Sequence, residues 1–171
     1  MALLLTASAG HATRSVTRHD GSSGLLVSPS LWVELALATI LVLATALFHG
    51  FGLLVIGRAL SALDRGTTEF ELNPLSLRGA AYTSAVVLGL LTLSGLEIWF
   101  YAFVYLLIGA TATLQDSLYF STITFGAIGF SDAPLAVPWR IVGAIEGING
   151  VLLLGWSVAF LVAELQRVRH R

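Results

Sequence analysis

Three long apolar runs constrain this chain more than any other feature of its sequence. They extend over residues 31–58, 79–112 and 138–165. About 20 apolar residues in a helix are enough to cross the hydrocarbon core of a bilayer, so each run is long enough to span one. Backbone polar groups in lipid must be satisfied within the segment, which favours helices over isolated strands. We therefore predict an all-α membrane protein with three transmembrane helices.

The composition agrees with this class. Hydrophobic residues make up 56% of the 171 positions and charged residues only 11%, whereas a soluble domain carries roughly a quarter charged residues. A net charge of -1 argues against a nucleic-acid partner. The chain has no cysteine, which excludes disulfides and thiol chemistry. No phosphate loop, helical metal motif or catalytic spacing is present, so we expect neither an enzyme nor a bound cofactor, and a lipid bilayer as the surroundings.

The placement of arginines predicts the orientation in the cell membrane. Residues 1–30 are interpreted as a flexible tail, although their start is weakly similar to a secretory signal without its basic region. Three arginines lie at or next to the connector 59–78, three lie in the basic C-terminal tail 166–171, and two lie in the N-terminal tail. The positive-inside rule then puts the connector and the C-terminus in the cytoplasm and the N-terminus outside.

The residues between the second and third runs have a different pattern. From Asp116 to Asp132 they read DSLYFSTITFGAIGFSD, in which a short amphiphilic helical stretch, 115–126, leads into a glycine-containing stretch, 127–132. Irregular backbone is tolerated at membrane depth only where protein buries it or where it lines a watery path. The pattern therefore predicts a re-entrant loop, in which a half-helix enters the bilayer and an extended segment returns.

Two strings in this loop carry a resemblance to a known family. SLYFS at 117–121 and IGFSD at 128–132 resemble the pore helix and selectivity filter of tetrameric potassium channels. The third run, which opens with Trp139 and Arg140, resembles the inner helix of the same channels. Over roughly residues 80–165 the chain thus resembles the bacterial potassium-channel-like pore-domain family, a two-helix pore unit with a re-entrant filter loop, here with one extra N-terminal helix.

The resemblance implies a role for individual residues. It implies an outer helix at 79–112, a pore helix at 115–126, a filter at 127–132 and an inner helix at 138–165, with four subunits around one pore. Filter carbonyls would bind the permeant ion, an aromatic pair and an aspartate would support the filter, and two glycines would form a gating hinge. These residues are, for the filter, Ala127, Ile128, Gly129, Phe130 and Ser131; for its support, Tyr119, Phe120 and Asp132; and for the hinge, Gly150 and Gly155.

The filter departs from the family pattern at two main positions. Ala127 stands where the family has a threonine whose hydroxyl contributes to the innermost ion site. Ser131 stands where the family has a second glycine, so we expect the outer filter to be shaped differently. Ile123 replaces an acid that partners the aspartate in some relatives, so Asp132 needs another donor or stays hydrated.

Ionisable residues inside the apolar runs form a second candidate site, because such residues are costly in lipid and are often functional. Glu97 and Glu146 lie at similar depths from the outer surface and are expected to meet behind the filter and share a proton. Together with Asn149 they would then support the filter and set its shape or pH response. Asn149, three residues after Glu146, is expected to donate to a carboxylate. The alternative is a structural hydrogen-bond network between helices. His49 is interpreted as a packed or water-facing residue rather than a metal ligand.

These observations lead to three functional hypotheses. The first is passive conduction of monovalent cations, potassium above all, through a homotetrameric pore. The second is a cation channel with relaxed selectivity, since two filter positions differ from the family pattern. The third is a non-conducting membrane scaffold that keeps the channel fold.

Overall fold

The computed structural model describes residues 31–64, 77–129 and 131–169, and in these ranges every regular element is helical. The helices are α1 (Leu31–Asp64), α2 (Leu77–Leu107), α3 (Leu114–Phe125) and α4 (Arg140–Arg169), with a 3₁₀ turn at Val137–Trp139. The segments Leu31–Ala62, Gly79–Leu107 and Val137–Arg167 are long and apolar enough to cross a membrane. The predicted all-α membrane protein with three such helices is therefore confirmed. The predicted N-terminal tail, most of the connector and Phe130 lie outside the described residues.

The first helix extends further than the sequence pattern indicates. We expected it to end at residue 58, but α1 continues to Asp64. Leu60 is buried in the core, and Ser61 donates to the carbonyl of Gly57 at 2.8 Å. This last part of α1 also contacts the other end of the chain, because Arg167 donates to the Ser61 hydroxyl at 2.9 Å. Packing and hydrogen bonds thus stabilise a helical end that is too polar to count as part of the apolar run.

The second helix ends earlier than expected, at Leu107 rather than at residue 112. The reason is Gly109, whose φ of +67° belongs to the left-handed region. The amide of Gly109 donates to the carbonyl of Leu106, and the amide of Ala110 donates to the carbonyl of Tyr105. This pair of hydrogen bonds is a Schellman motif, which closes a helix by satisfying its last carbonyls.

The helices surround two apolar clusters, one at each end of the bundle. One cluster combines the start of α1, the end of α2, α3 and the start of α4, and the other combines the later part of α1 with the start of α2 and the end of α4. Because α1 packs mainly on α4 and α2, and α3 mainly on α2 and α4, α1 and α3 lie on opposite sides of the bundle. The first cluster contains Ala38, Leu41, Tyr101, Tyr105, Ala110, Phe120, Leu135 and Val142, and the second contains Leu53, Leu60, Val86, Leu90 and Leu93.

Polar contacts hold one end of the bundle together. Glu164 near the end of α4 accepts a hydrogen bond from Tyr82 of α2 at 3.1 Å and an ion pair from Arg167 at 3.3 Å. Arg167 also reaches Ser61 of α1. The end of α1, the start of α2 and the end of α4 are therefore on the same side of the bundle.

Glycines on one face of α4 let the short helix α3 approach closely. A Cβ at Gly143 would lie 2.8 Å from the ring of Phe120, and one at Gly147 would lie 3.5 Å from the carbonyl oxygen of Thr124. At Gly150 it would lie 2.3 Å from the carbonyl oxygen of Phe125. Since the last neighbour is backbone, it cannot move aside as a flexible side chain could. Gly150 therefore positions the C-terminal end of α3 against the middle of α4.

This contact predicts different effects for two glycines of α4. Gly150→Ala forces a methyl group into the backbone at Phe125, so we expect a loss of about 1–3 kcal/mol in stability. Gly155→Ala is the matched control, because in the described part of the chain no atom outside its own stretch of α4 lies within 4 Å of its added Cβ. Thermal unfolding in detergent measures both variants. Equal melting temperatures for the two variants would contradict the close approach of α3 and α4.

Candidate functional site

The N-terminus of α3 is set by a local sequence pattern. The Thr113 hydroxyl accepts a hydrogen bond from the amide of Asp116 at 3.1 Å, and it donates to the Asp116 carboxylate at 2.8 Å. A threonine before the helix and an acid at its third position thus satisfy a free amide and place negative charge in the first turn, where the helix dipole favours it. The helix begins at Leu114 and ends at Phe125, one residue before the predicted range 115–126 at each end.

The residues after α3 turn back onto the end of the helix. The amide of Ala127 donates to the carbonyl of Thr124 at 2.9 Å, and the amides of Ile128 and Gly129 both donate to the carbonyl of Ile123, at 2.8 and 3.0 Å. Ala127 has a φ of +54° and Gly129 a φ of +63°, whereas Ile128 between them does not have a positive φ. Over residues 127–129 of the predicted filter, φ therefore changes from positive to negative and back to positive.

This alternation leaves a short row of carbonyls without backbone partners. Among the described residues, no backbone amide donates to the carbonyl of Gly126, Ala127 or Ile128. The side chain of Ile128 is 56% exposed in the single chain. Carbonyl oxygens on exposed, irregular backbone are the type of ligand from which ion-selective filters are built.

The segment from residue 131 onwards returns to the start of α4. Asp132 forms an ion pair with Arg140, with 3.0 Å between the carboxylate and the guanidinium nitrogen. The sequence did not indicate which residue would donate to Asp132, and in the structure this donor is Arg140. Both side chains are more than half exposed. The Ser131 hydroxyl accepts a hydrogen bond from the amide of Ala133 at 3.1 Å. A cleft of about 280 Å³ separates this segment from α3 and α4.

Behind α3, Glu146 of α4 links three helices. Its carboxylate accepts hydrogen bonds from the Tyr105 hydroxyl of α2 and the Ser121 hydroxyl of α3, each at 2.5 Å. Glu146, Tyr105 and Ser121 are all buried. Both oxygens of the carboxylate therefore have a partner, and the group connects α3 to the two helices on which it packs.

Glu97 belongs to a different group of polar side chains. Its Oε1 lies 2.9 Å from Nδ1 of His49, and Nε2 of His49 lies 3.2 Å from the hydroxyl of Ser157. Glu97 and His49 are fully buried, and the ring of Trp156 stacks at 5.5 Å from the ring of His49. His49 is thus a packed histidine that connects α1 to α2 and α4.

Two predictions about the buried acids are wrong. Glu97 and Glu146 do not share a proton, because the Glu146 oxygens bond to hydroxyls, one Glu97 oxygen bonds to His49, and the other has no partner among the described residues. Asn149 does not donate to a carboxylate. Its amide donates to the Thr45 hydroxyl at 2.8 Å and the Tyr101 hydroxyl at 3.1 Å. Hydroxyl groups of neighbouring helices satisfy Glu146 and Asn149 instead, and similar depth along two helices does not reveal such partners.

The residues that sequence reasoning missed are mostly hydroxyls. Thr45, Tyr101, Tyr105, Ser121 and Ser157 supply the partners of the two acids, the histidine and the asparagine. A signal for two of them was present, because Glu97, Tyr101 and Tyr105 recur at intervals of four residues and therefore share one face of α2.

The other predicted site residues have separate environments. Phe120 points into the core and meets the ring of Tyr105 edge-on at 5.5 Å, whereas Tyr119 is 49% exposed. Whether the pair holds the filter aromatic stays a prediction, since Phe130 lies outside the described residues. Gly150 is a packing contact for α3, and Gly155 lies in open space. A hinge at either glycine also stays a prediction.

The comparisons with known proteins agree with the pore-like part of this geometry. Residues 91–167 match the model of a family described as "Ion channel". The matched segment contains the later part of α2, all of α3, the loop after it and most of α4. The predicted resemblance to the two-helix, potassium-channel-like pore family is therefore confirmed for this segment. Neither a curated protein nor a solved structure matches the chain significantly.

The bonds of Glu146 predict how its variants behave. Glu146→Gln keeps the shape and one acceptor oxygen, so it is expected to lose less stability than Glu146→Leu. The leucine variant leaves the Tyr105 hydroxyl buried without an acceptor, which costs about 1–3 kcal/mol, whereas the Ser121 hydroxyl still has the carbonyl of Ile98 at 3.1 Å. Tyr105→Phe in the leucine background should restore part of the loss, because it removes one unpaired hydroxyl. Thermal unfolding of the wild type, the three variants above and Tyr105→Phe alone measures this, and purely additive effects of Glu146→Leu and Tyr105→Phe would contradict the bond.

The left-handed backbone at Ala127 predicts the effect of three substitutions. Ala127→Gly should stabilise the protein by up to about 1 kcal/mol, because glycine adopts positive φ without the cost that a Cβ adds. Ala127→Thr should destabilise it by roughly 1–3 kcal/mol, since a β-branched residue is strained there. Ala133→Gly, in the same loop, is the control and should not stabilise. A threonine variant as stable as the glycine variant in thermal unfolding would exclude this backbone conformation.

Proposed function

We propose that the protein conducts monovalent cations passively, with potassium as the favoured ion, through a pore formed by four copies of the chain. The observation that carries the proposal is the row of carbonyls at Gly126, Ala127 and Ile128, directly after the C-terminal end of α3, to which no backbone amide of the described residues donates. A dehydrated cation needs oxygen ligands in place of its water shell, and filter carbonyls supply them. The partial negative charge at the end of α3 favours a cation at the same place.

The depth of this segment supports a re-entrant loop. The end of α3 contacts α4 at Gly150, which lies about 20 Å along the helix from Val137, at a rise of 1.5 Å per residue. This distance is more than half of a hydrocarbon core of ~30 Å. With 12 residues, α3 is only about 18 Å long and is too short to cross the membrane by itself.

The return of the chain fits the same geometry. Gly126 follows Phe125, which contacts Gly150, and so lies at nearly the same depth along α4 as Gly150. Asp132 pairs with Arg140, which lies about 15 Å nearer the start of α4 along the helix axis. The six residue steps from 126 to 132 could span at most about 20 Å, so the chain is long enough to cover this distance even though residues 127–129 turn back onto α3. A half-helix that ends at this depth and a segment that returns to the start of α4 are the parts of a channel pore loop.

Exposed irregular backbone at this depth supports a symmetric assembly. Free carbonyls facing hydrocarbon cost several kcal/mol each, so such backbone is found only where protein or water covers it. A single segment also cannot surround an ion. Four copies around one axis would turn the carbonyls towards a shared ion path, and the apolar residues Ile148 and Leu152, which are exposed to 66% and 67% on α4, would then be available for contacts between copies.

Ala127 favours a second candidate, a cation channel with relaxed selectivity. Alanine offers no hydroxyl to the innermost ion site, so that site has only carbonyl and water oxygens. A site with fewer fixed oxygen ligands discriminates less between potassium and sodium. The structure of the loop also explains why threonine is absent, since positive φ is unfavourable for a β-branched residue.

The proposed orientation follows the arginines. The end of α1, the start of α2 and the end of α4 lie together, and the arginine-rich connector and C-terminus adjoin them. We assign this side to the cytoplasm and the opposite side, with the N-terminus and the pore loop, to the outside of the cell membrane.

Ion flux into liposomes tests the proposed function. Purified protein is reconstituted, and uptake of potassium, sodium and N-methylglucamine is followed separately. We expect potassium flux that exceeds sodium flux and no flux of the large organic cation. Equal potassium and sodium flux would favour the relaxed-selectivity channel. No flux of any cation would contradict conduction and leave the scaffold hypothesis.

The assembly is tested independently of conduction. Native mass measurement of the protein in detergent should give four copies of the 18.1 kDa chain. A stable monomer or dimer would overturn the proposed pore, because fewer than four filter segments cannot form the oxygen cage.

A further inference from the structure

A groove on the surface between α1 and α4 has a polar end and an apolar end. It is lined by residues 53–61 of α1 and 156–167 of α4, in part, and we call it the α1–α4 groove. Its volume is about 430 Å³, which lies within the range of roughly 300–1,000 Å³ that is typical of ligand sites. Leu54 and Trp156 in its walls are each 48% exposed, so the groove is open to the surroundings of the bundle.

The polar end has more arginines than acids. Arg167 donates to the Glu164 carboxylate at 3.3 Å and to the Ser61 hydroxyl at 2.9 Å. Arg58 is exposed, and in the described part of the chain its side chain takes part in no ion pair or hydrogen bond. Glu164 is the one acid among the described lining residues, and it is already paired with Tyr82 and Arg167. The groove therefore has one positive charge in excess, on a guanidinium without a carboxylate partner.

Towards the middle of the bundle the walls of the groove become apolar. Leu54 lies one turn, about 6 Å, before Arg58 along α1, and Trp156 lies about 16 Å before Arg167 along α4. Phe160 lines the groove between these two residues of α4. The charged and apolar parts thus follow each other along the bundle, as the headgroup and the acyl chains do in a phospholipid.

The polar end lies at the level of lipid headgroups. Along the axis of α4, about 40 Å separates Arg167 from Arg140 at the other end of the helix. A hydrocarbon core of ~30 Å fits between these arginines, and the headgroup regions extend the bilayer to about 40–45 Å. Arg58 lines the same end of the groove as Arg167. A phosphate group of this leaflet can therefore meet both guanidinium groups at the membrane surface.

We propose that the α1–α4 groove binds an anionic phospholipid of the leaflet on the side of the connector and the C-terminus. Its phosphate would accept hydrogen bonds from Arg58 and from the remaining donors of Arg167, since a guanidinium matches the geometry of a phosphate. One acyl chain would lie against Trp156 and Phe160. Phosphatidylcholine fits less well, because its cation finds no free carboxylate in the described lining, where Glu164 is already paired.

Native mass spectrometry of the full-length protein in detergent tests the proposal. Phosphatidylglycerol and phosphatidylcholine with identical acyl chains are titrated separately, and the dissociation constant of the first lipid bound per chain is measured. We expect phosphatidylglycerol to bind at least about fivefold more tightly than phosphatidylcholine. Inorganic phosphate at the same concentration should not displace the lipid, because it gains nothing from the apolar part of the groove.

Three variants locate the lipid on the protein. Arg58→Gln should weaken phosphatidylglycerol about fivefold and leave phosphatidylcholine unchanged. Arg58→Lys keeps the charge and should bind phosphatidylglycerol more tightly than the glutamine variant does. Arg140→Gln is the matched control, since it removes the same charge at the other end of α4 and Arg140 does not line the groove. Thermal unfolding checks that each variant is folded, as we expect for exposed side chains.

Four results would overturn the proposal. They are equal affinities of the wild type for the two lipids, equal effects of Arg58→Gln and Arg140→Gln, an Arg58→Lys variant as weak as Arg58→Gln, and displacement of the lipid by inorganic phosphate. The last result would mean that the groove binds free phosphate rather than a lipid. Because the readout is lipid binding rather than ion flux, a failure here leaves the proposed conduction untouched.

Discussion

A helix that ends inside an apolar bundle must find partners for its last carbonyls, and the part of this structure around α3 depends on how that requirement is met. The amides of Ala127, Ile128 and Gly129 turn back onto the end of α3 and satisfy the carbonyls of Ile123 and Thr124. The turn requires a left-handed residue, which is why Ala127 has a positive φ. It also requires room beside α4, which Gly150 provides. The result is a helix end followed by three carbonyls to which no backbone amide in the described part of the chain donates.

The polar side chains behind α3 keep this helix end in its position. Glu146 ties α3 to α2 and α4, while Asn149 and the His49–Glu97 pair connect α1 to the same two helices. Burying so many polar groups in a membrane protein is unfavourable unless each finds a partner. Nearly all of them do in the described residues, and they lie between the two apolar clusters. This band of hydrogen bonds makes α1 an integral part of the bundle rather than an appended anchor.

Much of the fold could be predicted from the sequence, because length and apolar composition alone decide whether a helix can cross a bilayer. The half-helix was also predictable, since Thr113 and Asp116 form a cap and the residues after Phe125 include glycines. The end of α2 was missed because Gly109 stands among apolar residues that suggested a longer run. The connector was predicted to begin at residue 59, too early in the chain, because α1 was ended at the first charged residues although helical packing continues it to Asp64.

The candidate site could be predicted only in part. The residues around Gly129 predicted the loop. The positive φ of Ala127 could not be predicted in the same way, because it follows from the turn at the end of α3, whereas alanine usually avoids positive φ. Depth along a helix suggested that Glu97 and Glu146 meet. Depth does not define the direction in which a side chain points, and hydroxyls from neighbouring helices satisfied Glu146 separately. Hydrogen bonds between distant segments are a property of tertiary packing.

The claim that residues 126–129 form an ion path is tested most directly by a structure of the assembled protein in lipid with thallium, a heavy-atom substitute for potassium. We predict four copies of the chain around one axis, with the C-terminal ends of α3 pointing towards it. Thallium density should lie on the axis, within coordination distance of the carbonyls of Gly126, Ala127 and Ile128. An assembly in which these carbonyls face away from the axis, or in which the axis has no thallium density at their level, would contradict the proposed pore.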